Sequence, residues 1–292
     1  MSGKTSVLCL PESSCKWLVV GQAFQPDRSG VTLTILSVRL ESLTYGRQSV
    51  IMRANASPRE PPTMQLTLKI PKPPVIQIAL DYATIEEALA MAQIGIEAGV
   101  DWLEIGTPLI VSQGVAPIGK MVRAHPDFPV LADYKTMDSG WKNVQRTAEQ
   151  GGHVMTVCAA APDETVQSAI SESKNCGVWV VVDTIGVKNQ AARARQCAEW
   201  GAHMIYLHYG ADQRKRDATR DSTQWLAEVQ AAVSIPIGVG CFLVEDGVRA
   251  AAQGADLIAI GHPVISAADP RKALSQFVRE VKAAYRPRMS TT

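Results

Sequence analysis

The sequence predicts an α/β protein of the (β/α)₈ class, a TIM barrel, preceded by an irregular N-terminal extension. Three observations carry this. Eight short apolar runs follow one another from residue 75 onward: VIQIALD, DWLEIG, FPVLADYK, HVMTVCA, VWVVVDT, HMIYLHY, IPIGVG and DLIAIG. Their starts lie about 25 residues apart, the length of one strand, one helix and two short loops. Amphipathic stretches such as TIEEALAMAQIGIEAG and NQAARARQCAEWGA separate them. Finally, IEAGVDWLEIG, AEQGGHVMTVC, AEWGAHMIYLH and AAQGADLIAIG share one plan of helix end, glycine, short turn and apolar strand. The glycine suits the left-handed backbone that closes a helix, where a Cβ is penalised. These four introduce the second, fourth, sixth and eighth strands. An open doubly wound sheet would carry a Gly-rich turn after its first strand, and ALDYAT is not one.

Taken in order, residues 1–72 mix Ser, Pro and Arg, and only VTLTILSVRL (31–40) alternates like a strand. SPREPP and IPKPP read as a Pro-stiffened linker. GKT at 3–5 lacks the upstream glycine and strand of a phosphate loop. Met64 is a possible functional start. Residues 73–286 form the barrel, its first helix opening at Thr84 with Glu87 placed for a capping box. Residues 287–292 are a tail.

With 292 residues, 46% of them hydrophobic, the chain can bury a barrel-sized core. Its 29 Lys and Arg nearly balance 28 Asp and Glu, so nothing points to nucleic acid or an anionic membrane as partner. Six scattered cysteines without a CxxC pair suit reduced thiols. No apolar run reaches the roughly 18 residues of a membrane span. A soluble, cytoplasmic protein is expected.

Strands covered on both faces should be almost wholly apolar. Here Asp81, Glu104, Asp133 with Lys135, Asp183 and His208 interrupt them at their C-terminal ends, and the last two strands end in Gly240 and Gly261. In a (β/α)₈ barrel those ends converge on one mouth, where active sites sit. Asp133 and Lys135, two apart on a strand, should project together. Flanking carboxylates would keep the ammonium charged, fit to stabilise developing negative charge. Glu104 and Asp133, on adjacent strands, offer hard oxygen ligands to Mg²⁺. His208 is placed to shuttle a proton. The terminal glycines mark a phosphate site. The basic loop YGADQRKRDATRDS reads equally as a lid over an anionic substrate or as a solvated loop.

Asp133, Lys135 and Asp138 form an Asp-x-Lys-x-x-Asp motif, DYKTMD. With IALD, LEIGTPLI, LADYKTMDSG, VVVDTIG, LHYGADQ and SAADP in order, residues 74–285 resemble the orotidine-phosphate decarboxylase superfamily. Within it they look most like the 3-hexulose-6-phosphate synthase branch. The resemblance implies a homodimer with active sites at the interface, Asp138 reaching into the partner's site. It implies Mg²⁺ on Glu104 and Asp133, an enediolate-stabilising Lys135 and a proton-transferring His208. Asp81 would orient Lys135 and touch substrate hydroxyls, while Asp183, Gly240, Gly261 and His262 would bind substrate. The implied reaction is aldol addition of formaldehyde to ribulose 5-phosphate. The related 3-keto-L-gulonate-6-phosphate decarboxylases usually have glutamate at Asp183 and arginine at Ala211 and His262, which favours the synthase. GVGC at 238–241 departs from the synthase pattern, and His262 matches neither branch. A non-catalytic sugar-phosphate-binding barrel is the alternative of another class.

Overall fold

The computed structural model describes residues 72–288, together with the backbone of residues 5–9 and 17–21. All eight apolar runs are strands. β1 (Thr5–Cys9) and β2 (Trp17–Gly21) form a separate antiparallel hairpin in the segment read as irregular. Its apolar halves flank a Pro- and Ser-containing stretch, a hairpin pattern overlooked because each half is short. The strand-like run at 31–40 lies outside the described residues.

The barrel strands are β3 (Val75–Leu80), β4 (Trp102–Ile105), β5 (Val130–Thr136), β6 (Val154–Cys158), β7 (Trp179–Asp183), β8 (Met204–Leu207), β9 (Ile237–Cys241) and β10 (Leu257–Ile260). All neighbours are parallel, and β10 pairs with β3 to close the ring. Closure leaves no edge to template other chains. Helices alternate with them: α1 (Ile85–Ala98) after β3, then α2 (Thr107–Gln113) and α3 (Ala116–Ala124) after β4, and α4 (Gly140–Glu149), α5 (Asp163–Cys176) and α6 (Gln190–Glu199) after β5, β6 and β7. The last four are α7 (Ala211–Arg216) and α8 (Leu226–Ala232) after β8, α9 (Val244–Ala252) after β9, and α10 (Pro270–Ala284) after β10.

Local chemistry explains the punctuation. Thr84 and Glu87 cap α1 reciprocally as expected. The four glycines of the repeated plan, Gly99, Gly151, Gly201 and Gly254, have φ of 95°, 75°, 98° and 81°. A Cβ at each would cost about 1–2 kcal/mol. The larger core lies between sheet and helices, where Ile76, Ile78, Leu80, Leu103 and Ile105 are fully buried against α1, α10 and their neighbours. A smaller core plugs the barrel itself: Val75, Trp102, Leu131, Val154, Val181, Met204 and Leu257. This plug is the floor on which the polar ends of the strands stand.

The basic stretch after β8, read as a lid or a solvated loop, is partly helical and tied down at its end. Its first half is α7, and its second half turns at Asp221, whose Oδ1 accepts Thr223 N at 2.7 Å. Arg249 donates to Asp221 and Asp246, tying the stretch to α9. Among the described residues four cysteines, Cys158, Cys176, Cys197 and Cys241, carry no disulfide. Also among them, no helix is long and apolar enough to cross a membrane.

Candidate active site

One cavity of about 570 Å³ opens above the plug, at the C-terminal ends of the strands. Asp81, Glu104, Asp133, Lys135, His208, Gly240, Gly261 and His262 all line it. Eight of the ten expected site residues therefore share one space. Asp183 and Asp138 do not line it.

The centre is Asp133, which is 5% exposed. Its Oδ1 accepts Thr156 Oγ1 at 2.7 Å, and its Oδ2 accepts Thr107 Oγ1 at 2.8 Å and the Lys135 ammonium. Burial alone would raise the Asp133 pKa. The Lys135 charge and these hydrogen bonds outweigh it and hold the carboxyl below its usual range, so it stays ionised. Lys135 is the mirror case. Burial acts to lower its pKa, but Asp133, Asp183 and Glu104 overcome that and raise it, so the amine stays protonated.

How Lys135 reaches this position differs from the sequence expectation. A regular strand would place residues 133 and 135 side by side. Instead the β5–β6 register slips between Ala132, opposite Met155, and Thr136, opposite Val157. Lys135 adopts φ 45°, and its backbone N–H donates to Thr156 Oγ1 at 3.0 Å rather than into the ladder. The slip is a bulge, a device that re-aims side chains beside active sites. Left-handed backbone at a non-glycine residue costs on the order of 1–3 kcal/mol, which the surrounding contacts offset. Lys135 hydrogen-bonds to Asp133 and Thr107, while Asp81 makes no hydrogen bond to it and faces it through charge alone.

Glu104 is 7% exposed, and Gln77 Nε2 donates to its Oε2 at 2.5 Å. Burial first, then repulsion from Asp133 and Asp81, pushes its pKa well above the usual carboxylate range. Asp81 is raised for the same two reasons, burial and then Asp133. Its carboxylate can occupy the mouth because residue 106 is glycine: a Cβ there would lie 2.1 Å from Asp81 Oδ1.

Asp183 is 1% exposed and stands beneath His208. Its Oδ2 lies 2.8 Å from His208 Nδ1 and its Oδ1 accepts Ile185 N at 2.8 Å. Its contacts are thus with the protein: it holds the imidazole and does not line the cavity in which substrate was expected to meet it. Asp138 is exposed in the turn after β5 and accepts the Ser139 N–H at 2.7 Å. Near it Met137 is 50% and Trp141 42% exposed. His262 stands exposed at the rim, its ring 5.9 Å from that of Tyr82 and its Nδ1 on Ser266 Oγ.

Sequence reading missed Gln77, Thr107 and Thr156. Gln77 was detectable: it is the one polar residue inside β3, two and four positions from Ala79 and Asp81 on the inward face. Thr107 and Thr156 carried no signal beyond neighbouring a motif residue in space.

The donor set fits a hard divalent cation. Asp81, Glu104 and Asp133 face a single ammonium, so full ionisation leaves two negative charges uncompensated, at a cost of several kcal/mol. The Oε1 of Gln77, beside Glu104, is buried without a partner. Among the described residues no three His, Cys, Asp or Glu side chains could hold a metal by themselves. Two carboxylates that leave positions for water and substrate match Mg²⁺ better than a closed transition-metal site.

The comparisons with known proteins agree with the barrel fold. The sequence profile of the Orotidine 5'-phosphate decarboxylase / HUMPS family matches residues 74–277. The chain is 34% identical over 215 residues to 3-hexulose-6-phosphate synthase of Mycobacterium gastri, covering 72% of this chain and 98% of the relative. The Bacillus subtilis synthase is 30% identical over 206 residues, covering 69% and 95%. A solved 3-hexulose-6-phosphate synthase from Salmonella typhimurium superposes with a TM-score of 0.68 at 30% identity, covering 72% of this chain and all of that one. The 3-keto-L-gulonate-6-phosphate decarboxylase of Vibrio cholerae shares the fold, with a TM-score of 0.63 at 20% identity over 74% of this chain and 100% of that one.

Proposed function

This chain belongs to the orotidine 5'-phosphate decarboxylase / HUMPS family, and from that premise we propose that it is an aldehyde-lyase of the 3-hexulose-6-phosphate synthase type. It joins formaldehyde to D-ribulose 5-phosphate, reversibly, giving 3-hexulose 6-phosphate by way of an enediolate. The single observation that carries this reading is the Lys135–Asp133 ion pair and Glu104 facing the same cavity as the Asp183-supported His208.

His208 acts as the base. Asp183 accepts from Nδ1, which fixes the neutral tautomer with its lone pair on Nε2. Nε2 takes a proton from the hydroxymethyl carbon next to the substrate carbonyl, and the electron pair left behind spreads onto oxygen as the enediolate. The Lys135 ammonium, kept protonated, stabilises the developing negative charge. Glu104 and Asp133 would hold Mg²⁺, which when bound would supply further positive charge against the developing negative charge. The enediolate carbon then attacks formaldehyde, a C–C bond forms, and the proton on His208 goes to the new alkoxide. Asp81, beside the ion pair, meets the sugar hydroxyls. Gly240, Gly261 and His262, at the ends of β9 and β10, receive the phosphate.

Asp138 fits this scheme only in a homodimer, reaching a neighbouring site. The exposed apolar residues Val111, Met137 and Trp141 on that side of the barrel support such an interface. The chemistry calls for neither nucleic acid nor membrane, and a cytoplasmic setting follows from a sugar-phosphate substrate.

The test is consumption of formaldehyde with ribulose 5-phosphate and Mg²⁺, run beside CO₂ release from 3-keto-L-gulonate 6-phosphate. Turnover in the first assay supports the synthase. CO₂ release alone would replace it with the decarboxylase, and tight sugar-phosphate binding without either reaction would make the barrel a binding protein.

A further inference from the structure

We propose that Tyr206 is a substrate-contacting residue, its phenolic hydroxyl donating a hydrogen bond to an oxygen of the bound sugar phosphate next to the carbon on which His208 acts. The inference rests on the sugar-phosphate reading above and adds to it a residue from outside the motif.

Tyr206 and His208 are two apart near the end of β8 and both line the cavity. Their rings meet edge to face with centroids 5.5 Å apart. Tyr206 is half-buried, and a tyrosine at such a place often gives its hydroxyl to a protein acceptor. This one does not. The residue's hydrogen bonds run through its backbone carbonyl, which accepts from Thr184 N and Oγ1. The phenol has no partner among the described residues.

The neighbouring strand is shaped to receive this ring. β9 turns two glycines inward, and a Cβ at Gly238 would lie 2.9 Å from Tyr206 Cδ2, one at Gly240 2.7 Å from the Tyr206 hydroxyl. Two side chains are thus forgone so that one phenol can lie across the wall below the rim. Gly240 was expected only as a phosphate ligand; its missing side chain also makes room for this hydroxyl. Any ring here would need the clearance at Gly238, but the clearance at Gly240 is made first for the hydroxyl.

The hydroxyl is suited to donate. Burial, followed by the charges of Glu104 and Asp183, pushes its pKa far above that of a free phenol. It therefore stays protonated, a neutral donor among carboxylates. A sugar phosphate brings the acceptors: a ketone oxygen and several hydroxyls.

The test is Tyr206→Phe in the full chain, which keeps the ring and removes only the oxygen. We expect kcat/KM for ribulose 5-phosphate to fall by about tenfold or more, as for loss of one donor at a dry site. Calorimetric affinity for ribulose 5-phosphate with Mg²⁺ and no formaldehyde should weaken in the same direction, with Tm unchanged. Wild-type kcat/KM and affinity in the variant would overturn the inference and leave Tyr206 a packing residue. A parallel fall in Tm and affinity would do the same. Wild-type protein that binds ribulose 5-phosphate without consuming formaldehyde would sink the synthase reading alone, and the affinity comparison would still decide Tyr206. Wild-type protein that does neither would overturn both.

Discussion

Asp183 Oδ2 lies 2.8 Å from His208 Nδ1, and the carboxylate that makes this contact is almost completely shielded from water. The acid comes from the end of β7 and the base from the residue after β8, so strand pairing fixes their separation. A carboxylate can only accept from a ring N–H, which leaves the far nitrogen of a neutral ring as the base.

Replacing that acid should therefore injure turnover rather than binding. Asp183→Asn can donate to Nδ1 and so favours the wrong tautomer. We expect kcat to fall on the order of a hundredfold or more, with little change in KM for ribulose 5-phosphate. Steady-state kinetics check this; a large rise in KM with kcat preserved would restore a direct substrate role.

Lys135→Ala removes the charge that the enediolate meets. Activity should be abolished while the circular dichroism spectrum stays that of the wild type, since among the described residues the ammonium hydrogen-bonds to Asp133 and Thr107 alone. Turnover above about a tenth of wild type would contradict the assigned electrostatic role.

Glu104 is where stability and activity part. Its folded pKa is raised, so its favourable contribution is full below its unfolded pKa and is lost as pH rises through the folded value. Metal-free protein should thus lose stability with rising pH over that window. Glu104→Gln should flatten the loss and raise Tm by about 2–4 °C near neutral pH, for a gain of roughly 1 kcal/mol, while removing activity. Mg²⁺ should raise the Tm of wild type in a concentration-dependent way and that of the variant much less. Thermal scans with EDTA and with graded Mg²⁺ at several pH values read all of this. A variant less stable than wild type without metal would be the contrary result.

Gly106→Ala tests the position of Asp81. The added carbon would overlap the carboxylate, so either Asp81 or the β4–α2 turn must shift. Activity should fall at least tenfold and stability by about 1–3 kcal/mol. Combined with Asp81→Ala the activity loss should be less than the product of the two, because the same carboxylate is removed once. A fully multiplicative loss would mean the glycine serves another purpose.

The barrel was legible because parallel strands covered on both sides must be apolar, and departures from that rule stand out. Asp81, Glu104, Asp133 and His208 were found in this way, and the helix-closing glycines fell where left-handed backbone was needed. Other features escaped for physical reasons. The β5 slip has no local signature, since DYK would serve equally in a regular strand; only Thr156 across the ladder shows what the backbone is bonding to. Asp183 looked like its fellow strand-end acids, and the imidazole beside it, 25 residues away in sequence, changed its part. Tyr206 and the two glycines opposite it become related only when β8 and β9 pair.

The irregular step in β5 also bears on how such a barrel could be redesigned. Regularising that strand, as an idealised backbone would, should relieve the left-handed turn at Lys135 and produce a sturdier cylinder. It would also swing the amine out of register with its acid and leave a well-built vessel with no catalyst in it. Shortening, lengthening or grafting the segment from Leu131 to Thr136 should therefore succeed only when its companions Thr107 and Thr156 travel with it.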